Sequence, residues 1–347
     1  MNPLNRSKNL VYRPLLGAAL LLAAGAAHAQ TFTNIIDPSN PAFTQALGIN
    51  NDDTIVGYGN ATIFSGFTLT LPPVAGNFTR LNFPGADGGT QVIGISRDDE
   101  PTSVGFYIKG GVTNGFANTG GQGGTFTTVD APGFAFTQLL GINDRGRTAA
   151  GYWTTDPAGA TGQIAGTVSG GPSFTSPTFT NINKLLPMND NSQATGVNDA
   201  GTVVGFYQEG PNTSPVFTAF VDKRGTITPF QFPGSTSTQA LGVNDLGEIV
   251  GDYIGADGEM FGFLDNGGKF SRINPPGATA STANGINDLG RIVGFYTAAD
   301  GNTVGFVTGR TIGTTIPEAS TWVMMLAGFA GLGFLGYRKA RHGTLAA

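Results

Sequence analysis

The sequence has no cysteine. This excludes disulfides, thiolate metal sites, cysteine nucleophiles and a lipid-modified N-terminal cysteine, and leaves the fold to rest on packing alone. Histidine is almost as scarce: the two present are His28 and His342, near the two chain ends, so residues 30 to 317 contain none. Ser-His-Asp and Cys-His catalysis are thereby excluded from that body, as are the usual histidine zinc and iron sites. Any chemistry there falls to carboxylates, Tyr, Lys or Arg. Positive charge is also short, since over residues 30 to 317 the 12 Lys and Arg face 22 Asp and Glu, a net charge of −10. Such a surface repels phosphodiester backbones and excludes nucleic acid as a partner.

Glycine, by contrast, is abundant, at 55 of 347 residues, and much of it recurs in register. The stretch Gly242–Tyr253 reads GVNDLGEIVGDY, with close copies beginning at Gly196 (GVNDAGTVVGFY) and Gly285 (GINDLGRIVGFY). The anchor Gly-Ile/Val-Asn/Ser stands at Gly48, Gly94, Gly141, Gly196, Gly242 and Gly285, with spacings of 46, 47, 55, 46 and 43 residues. A catalytic constellation occurs once, whereas a unit that cannot bury its own hydrophobic face is stacked in copies. A period in the forties is that of one four-stranded propeller blade. In the fifth copy, STQALGVN and EIVGDYI read as strands joined through Asn244-Asp245-Leu246-Gly247, and MFGFLDN and KFSRINPP follow around Gly267-Gly268.

The NDxG turn between the first two strands has a local explanation: Asn and Asp side chains bond nearby backbone amides, and the last glycine supplies a positive φ. Asn143, Asp144 and Gly146 occupy these places in one copy, followed by Asn198, Asp199 and Gly201, then Asn244, Asp245 and Gly247, then Asn287, Asp288 and Gly290. Aromatic pairs follow the turn at Phe106-Tyr107, Tyr152-Trp153, Phe206-Tyr207 and Phe295-Tyr296. Rings at one repeated place pack blade against blade, with a ligand-stacking platform as the alternative. The array begins with TFTNIID, Thr31 to Asp37, which matches the fourth strands NFTRLNFPG and KFSRINPPG, and ends with NTVGFVTGR, which matches a third strand. The expected architecture is an all-β, six-bladed propeller of four-stranded repeats of about 46 residues, closed by its N-terminal strand. A β-sandwich pair or an open solenoid is the alternative.

The two ends read as processing segments. Arg6, Lys8 and Arg13 precede the apolar run LLGAALLLAAGAA, and Ala27 and Ala29 bracket a cleavage site before Gln30. This is a signal peptide over residues 1 to 29, so the body is expected to be exported. At the other end, the 17 residues Thr321 to Tyr337 are apolar and are followed by Arg338, Lys339 and Arg341. At 1.5 Å per residue the run reaches roughly 25 Å, the short limit of a transmembrane helix, and the basic cluster would stay cytoplasmic. A buried C-terminal helix is the alternative. The division expected is thus a signal peptide (1–29), propeller (30–310), linker (311–320), transmembrane helix (321–337) and basic cytoplasmic tail (338–347).

Pro317, Glu318, the apolar helix and Arg338, Lys339 and Arg341 resemble the PEP-CTERM sorting tail of Gram-negative bacteria, with Ala319 standing where the motif has its second proline. That resemblance implies an exosortase-like protease as partner, a transient inner-membrane anchor, cleavage near Pro317 and release to the cell surface or extracellular matrix. The repeated GINDxGxIVG core across residues 31 to 309 resembles the bacterial extracellular HAF repeat family, whose triplet is here reduced to Thr218-Ala219-Phe220 and Phe261-Gly262-Phe263. The resemblance implies a propeller-like exported protein and no particular activity.

Three functional candidates remain. Calcium would find oxygen donors in Asn50–Asp53 and Asn244–Glu248, but it takes six to eight of them and no dense D-x-D-x-D-G loop occurs, so turn formation is the preferred role and no metal or cofactor is expected. Asp252 interrupts the column Tyr58, Phe106, Tyr152, Phe206 and Phe295, where a buried carboxyl would have the raised pKa of a general acid; a solvent-facing position is the alternative. Variable loops, notably Asn183 to Gln193, would grip a partner such as extracellular polysaccharide. The expected function is structural or adhesive and non-enzymatic. The alternative is a carboxylate-based polysaccharide-degrading enzyme.

Overall fold

The computed structural model describes residues 30–97, 99–171, 173–186 and 191–309. Six four-stranded antiparallel sheets follow one another: the first five are continuous, at 44–80, 89–128, 136–181, 192–230 and 235–273. The sixth takes three strands from Ala278–Thr308 and its outermost strand from Phe32–Ile35 at the start of the array. The molecule is a six-bladed β-propeller closed by its N-terminal strand, not a sandwich or solenoid. In the fifth blade the strands are Ser235–Val243, Ile249–Gly255, Met260–Asn266 and Lys269–Ile273, which are the segments marked by the alternation of apolar and turn residues.

The anchor glycine of each copy marks the closest approach of the inner strands. Each inner strand carries a one-residue register shift immediately before it, as between Ala194 and Gly196 or Ala240 and Gly242. A Cβ on Gly141 would lie 3.1 Å from the Cα of Gly196, one on Gly196 3.2 Å from Gly242, and one on Gly285 3.1 Å from Gly48. The six glycines therefore touch in a ring around the axis, where a side chain of any size would force the blades apart.

Apolar residues from facing blade surfaces fill the gaps between blades. Val56 and Leu81 of the first blade pack with Val92, Tyr107 and Phe116 of the second, and Val204 and Ala219 of the fourth with Tyr253 and Phe263 of the fifth. The second ring of each aromatic pair lies in these seams, with Tyr107 stacked on Phe83 at 3.6 Å and Tyr253 on Phe232 at 3.7 Å.

The closing seam is built differently. Ile35 is fully buried among Ala46, Ile55 and Phe67 of the first blade and Val293 and Val307 of the last. Where two of the other seams place Phe83 and Phe232, the closing segment has Asp37, and where those seams place Tyr107 and Tyr253, the first blade has Gly59. Asp37 is 1% exposed and receives both terminal nitrogens of Arg80, at 2.6 and 2.5 Å, while its own amide donates to Thr44 Oγ1 at 2.8 Å. A Cβ at position 59 would collide with Asp37 Oδ2 at 2.3 Å. A buried forked ion pair has replaced the stacked rings.

Among the described residues no helix is long and apolar enough to cross a membrane, and the helices present are the short turns Ala75–Asn77 and Asn183–Leu185. The signal segment with Ala27 and Ala29, the motif residues Pro317 and Glu318, the apolar run 321–337 and Arg338, Lys339 and Arg341 lie outside the described residues.

Deleting Thr31 to Asp37 should lower the melting temperature strongly, because it leaves a raw edge on the last blade and empties the Ile35 pocket; an unchanged Tm contradicts closure. Arg80→Ala should also destabilise: removing one partner of a buried pair costs roughly 3–5 kcal/mol, and the 31% exposure of Arg80 places the effect at the lower end.

Candidate functional site

The propeller has two distinct ends. At one end, the NDxG turns converge on the axis. Each Asn uses both ends of its amide: Asn198 Oδ1 accepts from Thr202 N at 2.9 Å, closing its own turn, while Nδ2 donates to the carbonyl of Asn244 in the next blade at 3.0 Å. Asn244 repeats the pattern toward Asn287 at 3.1 Å, and Asn287 toward Asn50 at 2.9 Å, which joins the last copy to the first. Asn50 passes the chain to Ser96 at 2.9 Å, and Asn143 donates to Asp199 Oδ1 at 2.8 Å. Between those two, where serine replaces asparagine, a backbone bond from Arg97 N to the Asp144 carbonyl at 3.0 Å carries the link. Gly146, Gly201, Gly247 and Gly290 take φ of 64°, 77°, 82° and 71°, as the turn requires, and Gly201 and Gly247 have open space beyond them.

The Asp of the motif does not bond its own turn, as a purely local reading expects. Its carboxylate accepts from the preceding blade: Asp199 N donates to Asp245 Oδ1 and Asp245 N to Asp288 Oδ1, each at 2.8 Å. Asp144, Asp245 and Asp288 consequently gather near the axis, with one carboxylate oxygen of each lying within 4.8 Å of the others. These three oxygens fall short of the six to eight that calcium takes, and Asn51 Nδ2 already bridges Asp144 Oδ2 and Asp288 Oδ2 at 2.7 Å each. Burial, then repulsion from Asp288, Asp245 and Asp199, raises the Asp144 pKa to about 7, with Arg97 opposing the shift. Burial also raises Asp245.

At the opposite end, a cleft of about 370 Å³ opens where the third, fourth and fifth blades meet. Gln193 and Gln239 come from inner strands, Phe206 and Gln208 from the second strand of the fourth blade, Asn212 and Phe217 from and beyond the connection that follows it, and Thr161 and Gln163 from the corresponding connection of the third blade. Asn191, with φ of 58°, completes the wall. No lining side chain is charged. Asn191 and Gln193 belong to the variable segment Asn183–Gln193, so the loop singled out in the sequence does supply part of this cleft.

Asp252 is 7% exposed, so the solvent-facing alternative does not hold, and burial raises its pKa to about 7. It pairs in register with Gln239 and Gly262 but does not line the cleft. Phe206, its counterpart one blade earlier, does, and so the aromatic column divides: the second ring of each pair packs seams, and one first ring faces a cavity. The glutamines at 163, 193, 208 and 239 were not singled out by motif, although Gln45, Gln91, Gln138, Gln193 and Gln239 recur three residues before the anchor glycine.

No protein-family model matches the chain, and no curated protein matches it. Among solved structures, it is similar to TolB from Acinetobacter baumannii (TM-score 0.47, 8% identity, 74% of this chain covered), of whose chain it spans only 63%. It is also similar to the Aleuria aurantia lectin, a variant solved with Fucα1-6GlcNAc (TM-score 0.46, 9% identity, covering 80% of this chain and 98% of that one). A third similarity is to the β-propeller domain of the Trilobed protease from Pyrococcus furiosus, described as having an open velcro topology (TM-score 0.41, 7% identity, covering 80% and 98%).

Replacing Asn198 separates the two functions of its amide. Asn198→Ser, which copies Ser96, should cost about 1 kcal/mol by losing the link to the next blade, and Asn198→Ala about twice that by also losing the turn acceptor; equal melting temperatures for the two variants contradict this. The folded-state pKa values of Asp144 and Asp252 lie above the ordinary carboxylate value, so the folded chain holds protons that the unfolded chain releases. Stability should then fall as pH rises from about 4 to about 7. Denaturation midpoints measured across that window should show this slope, reduced in Asp144→Asn and Asp252→Asn.

Proposed function

We propose that this chain is an exported binding protein of the cell surface or extracellular matrix that holds extracellular polysaccharide and does not cleave it. The observation that carries the binding part is the cleft: its wall offers amides, a hydroxyl and phenyl rings, and no group that titrates. Such a wall can hold a ligand by hydrogen bonds and packing, but it has neither an acid nor a base to move a proton. Glycoside hydrolysis needs two carboxyl groups flanking the scissile bond. The acids near the axis occupy the other end, committed to neighbouring turns, and the buried Asp252, which pairs in register with Gln239, is not on the cleft wall.

Export and sorting rest on the sequence of the two ends: the leader 1–29 for export, and Pro317, Glu318 and the basic Arg338, Lys339 and Arg341 behind an apolar run for membrane retention followed by exosortase-like cleavage.

Two measurements test this reading. Incubated with soluble polysaccharides, the full chain should bind without releasing reducing ends, whereas turnover lost in Asp252→Asn would establish the carboxylate enzyme instead. Mass spectrometry of surface-released protein should find an N-terminus at Gln30 and a C-terminus near Pro317; a C-terminus at Ala347 on released material rules out the sorting step.

A further inference from the structure

We infer that the cleft between the third, fourth and fifth blades is a saccharide site selective for uncharged sugars, with Gln193, Gln239 and Asn212 as hydrogen-bonding residues and Phe217 as the ring against which the sugar lies. This rests on the reading of the cleft as the binding site and names its ligand.

The amides are held in place by one another. Gln193 Nε2 donates to Gln163 Oε1 at 3.0 Å, and Gln163 Nε2 is anchored on the Gly159 carbonyl at 2.6 Å. Asn191 Nδ2 donates to Gln208 Oε1 at 3.2 Å, and Gln208 Nε2 to Asn212 Oδ1 at 2.7 Å. Asn191, only 6% exposed, fixes the base of this second chain. With those atoms spoken for, Gln193 Oε1 and Asn212 Nδ2 make no hydrogen bond among the described residues, and neither end of the Gln239 amide does. An acceptor on Gln193 and a donor on Asn212, both held by their neighbours, thus line one cavity with the complete amide of Gln239.

Sugar hydroxyls donate and accept at once, as amides do, so this pairing leaves neither side unsatisfied. Phe206 and Phe217 meet edge to face, with centroids 5.1 Å apart and planes at 73°, and Phe217 is partly exposed. A ring in that setting offers its face to the apolar C–H side of a pyranose. At about 370 Å³ the cleft lies low in the ~300–1,000 Å³ range of small-ligand sites, which suits a chain end or branch. The absence of cationic side chains from the wall, together with the net charge of −10 over residues 30 to 317, disfavours uronate or sulfated sugars.

The test is calorimetric titration of the full chain with oligosaccharides of neutral hexoses and N-acetylhexosamines, with uronate oligomers and with a polar uncharged peptide. Saturable binding is expected for a neutral sugar alone. Gln193→Ala and Gln239→Ala should each weaken it by roughly 3- to 10-fold, and Phe217→Ala by at least roughly 10-fold. Leu246→Ser, at an exposed turn on the opposite end, should leave it unchanged, and unaltered melting temperatures establish that the cleft variants fold. Uronate binding that the cleft variants abolish overturns the neutral-sugar assignment and leaves the polysaccharide-binding reading standing, whereas peptide binding that they abolish overturns both the assignment and polysaccharide as the ligand. Sugar binding indifferent to all three variants overturns the site. Absence of binding to every probe overturns both this inference and the binding function itself.

Discussion

Six inner strands share one axis, and the space they leave each other is set by six hydrogen atoms. Where Gly48, Gly94, Gly141, Gly196, Gly242 and Gly285 meet, neighbouring backbones come closer than any side chain permits. Everything nearer the turns follows from that proximity: only because the strands are so close can an asparagine of one turn reach the carbonyl of the next, and a carboxylate accept an amide from the blade before it. The repeated GxND thus has a division of labour, in which glycine permits contact and the polar pair makes the contact specific. Closely packed polar groups at such a hub are stabilising only when they are paired, and the Asn and Asp circuits pair most of them.

The seam between the last and first blades shows what happens when the pattern has to be broken. At the seams between the first and second blades and between the fourth and fifth, stacked rings hold blade to blade through dispersion and burial, which are indifferent to register. The closing strand is a single separate segment and needs an interaction that fixes its position. A forked guanidinium on a buried carboxylate provides direction that two phenyl rings do not, at the expense of desolvating two charges. Gly59 is the residue that makes room for it.

The architecture was readable because a propeller declares itself in several independent ways: the period, the hairpin turn, and complementary half-copies at the ends. Asn198 and Gly201 were legible as turn residues because both roles are local. The role of Asp199 and Asp245 was not, since their partners lie 46 and 43 residues away and one copy alone looks like an ordinary Asx turn. The cleft was harder still. Its loop, Asn183 to Gln193, stands out as extra length, but Gln163 and Asn212 come from connections with no motif, and only the ring geometry brings them beside Gln239. Asp37 and Arg80 were invisible for the same reason: an ion pair between residues 43 apart leaves no periodic trace.

The closing strand also sets the order of events in folding. Phe32–Ile35 is made before the first blade, yet its partner, Thr303–Thr308, is made only after five blades have been completed. Until then the first segment has no sheet to join and the first blade has an uncovered flank, because Asn287 and the last inner strand have not arrived. Contacts of such long sequence separation form late and slowly. Until that last blade is made, the chain is an open array of blades rather than a ring, with one flank of the first blade still uncovered.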